Sequence, residues 1–109
     1  MANTFKLKTK ANVGVTTVGI YTAPAATTTV VIGITLANTS GSGVNVGVGI
    51  TRAGTTEDVK LLKNAPIPQG SSLEFMGGNE VVLEATDTVT VDSDTNNSVD
   101  ASLTIMEIT

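Results

Sequence analysis

The chain contains no cysteine, no histidine and no tryptophan. Without cysteine no disulfide can staple it, which leaves the redox compartment open and the cytosol compatible. Without histidine or cysteine it also lacks the usual general base, the usual nucleophile and the commonest nitrogen and sulfur ligands of metals. Aromatic residues make up 3% of the chain, as Phe5, Tyr21 and Phe75. Carboxylate pairs that cleave glycosides, and modules that bind sugars, work in clefts lined by aromatic side chains, so both are disfavoured. The sequence points away from an enzyme and from any cofactor. Long apolar runs are missing too: nothing approaches the roughly 20 residues that a membrane helix needs. The opening "MANTFKLKTK" has no apolar core of a secretory signal, so neither export by that route nor a membrane partner is expected.

What the chain has in quantity is Val, Thr, Ile and Gly, within a composition that is 40% hydrophobic. β-Branched residues suit pleated, half-buried surfaces and Gly suits tight turns, which makes all-β the expected class. With 109 residues the expectation is one domain, 1–109, in which 1–12 form an N-terminal arm or an edge strand. Up to Lys63, six basic residues stand against two acidic ones; beyond it come eight acidic residues and no basic one, for a net charge of −4. A net acidic chain without clustered Lys and Arg is a poor binder of nucleic acid. The opposed halves could steer copies together head to tail. Alternatively, strands from both halves interleave in one sandwich and the asymmetry vanishes in space.

Alternation along the chain divides it into short strands. In "FKLKT", Phe5 and Leu7 alternate with Lys6, Lys8 and Lys10; this is either an edge strand whose lysines discourage pairing or a basic arm that grips an acidic neighbour. Val13 and Val15 share one phase and Val18 and Ile20 the other, so a break falls near Thr16 and Thr17. In "TVVIGITLA", Val30, Ile32, Ile34 and Leu36 are expected on the core face. After the turn "NTSGSG", Val44, Val46, Val48 and Ile50 return inward, with Asn45, Gly47, Gly49 and Thr51 outward, and the pair reads as one long hairpin. Glycines inside a strand lose packing and backbone entropy. Gly47 and Gly49, with Asn45, therefore mark either a flat face for a neighbouring subunit or a weak exposed strand.

Beyond "RAGTT", either a short helix capped by Thr55 or Thr56 or a strand at Asp58 to Leu62 fits, and the strand is preferred because Pro66 leaves room for few helical turns. "PIPQGSS" loops with Pro68 and Gly70 at the second and fourth positions of a type I turn. A short strand begins at Leu73 and Phe75, "MGGN" turns, and Val81 and Leu83, then Val89 and Val91, then Val99, Ala101, Leu103 and Ile105 face inward. About eight strands with no helix to cover them must pack sheet on sheet, as an antiparallel β-sandwich that is jelly-roll-like or Ig-like.

One motif remains. In "VDSDTNNSVD", Asp92, Asp94 and Asn96 occupy the first, third and fifth positions of a calcium loop. The sixth position is Asn97 rather than Gly and the twelfth is Leu103 rather than a bidentate Glu. A hairpin turn closed by its own side chains is the expected structure, with a weak calcium site as the alternative.

The segments "MANTFK", "TVGIYTAPAATTTVVIGITLANTSGSGVNVGVGIT", "LLKNAPIPQGSSLEF" and "VVLEATDTVTVDSDTNNSVDASLTIMEIT" together resemble small virion structural proteins of tailed bacteriophages, particularly those of marine and cyanobacterial phages. The resemblance implies a noncatalytic capsid decoration or cement protein, a homotrimer on the head that bridges copies of the major capsid protein. Its alternative is a neck, tail or baseplate accessory that acts as an attachment module. It also implies synthesis in the host cytoplasm and residence in the virion, with the protein itself and other virion proteins as partners. The interface candidates are Lys6, Lys8, Lys10, Asn45, Gly47 and Gly49. One departure is Thr86, where the turn before Asp87 is expected to carry Gly.

Overall fold

In a computed structural model, which describes residues 3–54, 57–75 and 80–109, the chain is all-β. Nine strands follow one another: β1 (Asn3–Val13), β2 (Val18–Thr22), β3 (Thr28–Asn38), β4 (Val44–Arg52), β5 (Glu57–Ile67), β6 (Ser72–Phe75), β7 (Val81–Leu83), β8 (Thr88–Ser93) and β9 (Val99–Ile108). They form two antiparallel sheets. One has the order β1-β9-β3-β6, with β7 also paired to β3; the other has the order β2-β8-β4-β5. Early and late strands interleave in both sheets, which is the strand order of a jelly roll. Among the described residues, the β4–β5 hairpin is the one pairing between strands consecutive in sequence.

The core lies between the sheets and consists almost entirely of aliphatic side chains, with Leu36, Val48, Leu83, Val99, Leu103 and Ile105 fully enclosed. The core positions expected in β4, β8 and β9 are all buried, although in β4 Gly47 and Gly49, expected outward, are covered as well. In β3 the expected alternation holds from Ile34 onward and fails before it: Val31 is buried and Ile32 is exposed. A bulge between Val31 and Gly33 in the pairing with β9 inserts one residue and reverses the phase. The same device acts in β2, where a register shift at Ile20 turns Tyr21 inward. The break expected near Thr16 is present, and there the chain leaves one sheet for the other.

β3 and β4 are not a hairpin, because they lie in different sheets. The corner between them is tied by Asn38, whose Nδ2 donates to the carbonyls of Ser42 (2.8 Å) and Ile67 (3.0 Å) and whose Oδ1 accepts from the Ser40 amide. The segment from Asp94 to Ser98 is likewise a crossing between sheets. β5 runs to Ile67, through Pro66, with bulges opposite Gly47 and beyond Val48 and with Asn64 at φ 56°. Proline is accommodated because β5 is an edge strand. The Pro68 turn is shifted by one residue: the Ser71 amide donates to the Pro68 carbonyl at 3.1 Å, and Gly70, at φ 73°, takes the third position. The turn expected at "MGGN" and the capping role weighed for Thr55 and Thr56 lie outside the described residues.

Opposite charges from the two halves of the chain meet in space. Lys6 pairs with Glu107, Arg52 with Glu84 and Asp87, and Lys60 approaches Asp92, so each of these contacts joins a basic residue of the first half to an acidic residue of the second.

Asp87 closes the turn from Glu84 to Asp87. Its buried carboxylate accepts from the amides of Glu84 (3.0 Å) and Ala53 (3.3 Å), and Arg52 Nε lies 3.0 Å away as an ion pair that is not aligned as a hydrogen bond. Thr86, whose amide donates to the Ala23 carbonyl, is held at φ 69° in the third turn position, where glycine is favoured. A β-branched residue there costs roughly 1–2 kcal/mol. Thr86→Gly is therefore expected to raise the urea midpoint by an amount equivalent to about 1 kcal/mol, and an unchanged or lower midpoint would mean that the turn carries no strain.

Candidate functional site

In an antiparallel pair, residues directly opposite one another share a face, so the registers identify what the outside of the five-stranded sheet presents. The odd-numbered residues of β9 from Val99 to Glu107 are buried, which leaves Asp100, Ser102, Thr104, Met106 and Ile108 outward. Phe5 lies opposite Met106, Met106 opposite Val30, and Val30 opposite Val82. An apolar row thus crosses four strands on the solvent side. Leu7 and Ile32 flank it, and Phe5, Leu7 and Val82 are 69%, 65% and 59% exposed. Isolated exposed apolar residues are ordinary, whereas a contiguous group on one sheet face marks a contact surface.

The lysines of β1 point the other way. Lys6, Lys8 and Lys10 lie opposite Ile105, Leu103 and Ala101 and so stand on the core side of an edge strand. Lys6 Nζ is 2.9 Å from Glu107 Oε1, and the Tyr21 hydroxyl, reaching across from the other sheet, donates to Glu107 Oε2 at 2.7 Å and lies 2.8 Å from Thr29 Oγ1. The Lys6 ammonium beside Glu107 holds its carboxyl below the usual carboxylate range, and the Tyr21 donor adds to this against the effect of burial. Burial pushes the Tyr21 hydroxyl up to about 12; its contact with Thr29 opposes that shift and the neighbouring Glu107 charge reinforces it. The cluster ties β1, β2, β3 and β9 together at one end of the sandwich.

Asn45 is exposed, and its backbone is engaged with Asp94: the Asn45 amide donates to Asp94 Oδ1 and the Asn45 carbonyl accepts from the Asp94 amide. Gly47 and Gly49 are buried. A Cβ on Gly49 would stand 2.9 Å from the Val59 carbonyl, and one on Gly47 would stand 2.5 Å from the Asp92 carboxylate. Here the close backbone that these glycines imply is the chain's own bulged β5. The six interface candidates therefore fall at three places and are not brought together.

Asp92, Asp94 and Asn96 are spread in the same way. Asp92 Oδ2 accepts from Thr17 Oγ1 (3.1 Å) with Lys60 Nζ at 4.0 Å, Asp94 accepts from Asn45 N and Thr95 Oγ1, and Asn96 Oδ1 accepts from Val15 N. Ser93, Ser98 and Thr95 bond one another inside the loop. Among the described residues, no group of three or more His, Cys, Asp or Glu could hold a metal ion. Two surface depressions, beside Gly49 and beside Lys10, carry a single carboxylate each, Asp58 and Asp100, so neither offers the carboxylate pair that acid–base catalysis uses. No described helix is long and apolar enough to cross a membrane.

Sequence reasoning missed the outer face itself. The available signal was that "VVI" at 30 to 32, "VVL" at 81 to 83 and "IM" at 105 and 106 are apolar on both sides of their strands, a pattern of sheets covered on both faces.

No protein-family model matches the chain, and no curated protein matches it in sequence. Its fold is similar to that of a solved structure of Bacillus endospore appendages, described as a novel family of disulfide-linked pili: TM-score 0.60 and 16% identity over 99% of this chain and 87% of that one. A second overlap, with a chain of the T13 IBDV viral particle, has a TM-score of 0.42 and 12% identity over 98% of this chain and 39% of that one. That value is too low to establish a common fold.

The Glu107 cluster predicts two limbs of pH dependence. A lowered carboxyl contributes stability above its ordinary value of 4.5 and loses it as pH falls through the folded value; a raised phenol contributes fully below 10.0 and loses it as pH rises toward about 12. In chemical denaturation, Glu107→Gln is expected to lose stability relative to wild type at neutral pH and to converge with it in acid. Tyr21→Phe is expected to cost about 1–3 kcal/mol near neutrality and to converge in alkali. Profiles parallel to wild type would contradict this account. Calorimetric titration with calcium is expected to give flat traces for wild type and for Asp92→Ala with Asp94→Ala; a saturable heat that the double variant abolishes would restore the metal reading.

Proposed function

We propose that this protein is a noncatalytic structural subunit that works by assembly, as a decoration protein on the head of a tailed phage, where it bridges capsid subunits and resists internal pressure by added contact area. The observation that carries the assembly part of this reading is the solvent-facing apolar row Phe5–Met106–Val30–Val82 on an otherwise well-satisfied sandwich. The inventory of reactive side chains supports the noncatalytic part: there is no histidine or cysteine, and the depressions hold lone carboxylates. The likeness in fold to a pilus subunit is compatible with a building block. That subunit belongs to disulfide-linked pili, whereas this chain has no cysteine, so disulfides do not link its copies. The phage setting rests on the resemblance of its sequence segments to virion proteins.

A second reading, a neck, tail or baseplate accessory that acts as an attachment module, is favoured by the same pilus likeness, since an appendage is also a surface structure. Copy number separates the two. Quantitative mass spectrometry of purified particles is expected to count this chain on the scale of the capsid subunits; a count sufficient for only one ring at a vertex would overturn decoration in favour of the accessory, and absence from the particle would defeat both.

A further inference from the structure

We infer that the apolar outer face of the five-stranded sheet binds the same face of a second copy of this chain, in a two-fold, steeply crossed sheet-on-sheet contact. The inference rests on the structural role proposed above and names the partner at that surface.

Three features of the face select a second copy over a different partner. The first is charge. From the row Asn3–Ile108–Thr28 through the row Leu7–Thr104–Gly33, the residues on this side of β1, β9 and β3 carry no ionisable group, while the lysines of β1 stand on the opposite side. Carboxylates lie at the borders of this half, as Glu80 and Glu84 two residues either side of Val82, and at the far end, as Glu74 opposite Thr35 and Asp100 opposite Ala37. A basic partner would leave its charges unpaired over the apolar half, whereas the same face brings no charge to that half.

The second feature is shape. Gly33 faces outward opposite Thr104, and a Cβ built on it would meet nothing within 4 Å, so the face has a notch in the middle of β3. Phe5, its largest projecting side chain, stands two strands away on β1. A knob and a hole on one surface are what an isologous contact needs, because each copy fills the notch of the other. With the two-fold axis across β9 near Met106 and Thr104, the sheets cross steeply, toward the orthogonal packing mode, and the two acidic ends swing apart. A three-fold ring instead needs two different complementary patches on each copy.

The third feature is size. Three strands at about 4.8 Å spacing and about five residues at about 3.3 Å rise, with the three residues of β7 beside them, give a footprint of roughly 300 Å² per copy. A pair therefore covers roughly 600 Å², smaller than standard specific interfaces, which fits a weak contact that gains strength by repetition in an assembly.

Sedimentation velocity on the full chain from micromolar to millimolar concentration tests this, with thermal unfolding measured beside it. Wild type is expected to show a reversible monomer–dimer equilibrium. Val82→Asp, which sets a charge into the row, and Gly33→Ile, which fills the notch, are each expected to weaken dimerisation at least about tenfold. Gly33→Ile is expected to keep or raise the unfolding temperature, since its side chain enters open space in a strand. Lys10→Ala, on the other side of β1, is expected to dimerise as wild type does. The inference is overturned if wild type stays monomeric throughout the range or forms trimers, if both face variants dimerise like wild type, or if Lys10→Ala alone loses association. A chain abundant in particles yet monomeric in solution would sink the two-fold contact and leave the structural role standing.

Discussion

The register of β9 between β1 and β3 is the constraint on which the rest of the molecule depends. A strand has a side-chain period of two, so a slip of one residue in either pairing would carry Leu103, Ile105 and Glu107 to the solvent side and bring Met106 into the core. Two devices hold the register. The bulge at Ile32 absorbs the one residue by which β3 would otherwise be out of phase. The Glu107 cluster closes the end: a slipped β9 would leave Tyr21 and Lys6 without their shared partner and would bury a polar group unsatisfied. Once β9 is placed, the outer row follows with no further adjustment, because Phe5, Val30 and Val82 are each fixed by pairing either to it or to its neighbour.

The distribution of charge follows from the same interleaving. A chain with its basic residues first and its acidic residues last could have been a polarised molecule. The jelly-roll order brings the halves together strand by strand, and the ion pairs Lys6–Glu107, Arg52–Asp87 and Lys60–Asp92 all connect them. Of these, the exposed Lys60–Asp92 pair contributes little stability, while the other two hold carboxylates that are buried. The larger consequence of these pairs is that charge is kept away from the part of one sheet face around Met106, from the row Asn3–Ile108–Thr28 through the row Leu7–Thr104–Gly33. A surface that is both apolar and uncharged is open to contact with another copy of itself.

Much of the fold was legible in the residues, and the exceptions have physical causes. The core faces of β4, β8 and β9 as far as Ile105 could be read directly, because there one side is mostly aliphatic and the other is small or polar up to Thr104. β3 could not, because Val30, Val31 and Ile32 are all apolar and a bulge among them leaves no mark in the pattern. Sheet membership was hidden for a different reason: "NTSGSG" suits a hairpin and a corner equally, and the hydrogen bond from Asn38 to Ile67 that makes it a corner is a tertiary contact. Phe5 and Leu7 look like core positions in any reading of alternation; that no second sheet covers them is a property of the assembled sandwich. Gly47 and Gly49 did signal the close approach of a backbone, and the backbone turned out to be β5. Thr86, where glycine was expected before Asp87, was visible from the sequence alone and is where the backbone takes up a left-handed conformation.

The central claim is that the outer face of the five-stranded sheet is the surface through which this protein assembles. Amide NMR spectra of the 15N-labelled chain over a dilution series address it residue by residue, without any substitution. The account predicts concentration-dependent shifts confined to Phe5, Leu7, Val30, Gly33, Val82, Thr104 and Met106. Shifts centred instead on β5 or β2, with this face unmoved, would contradict it.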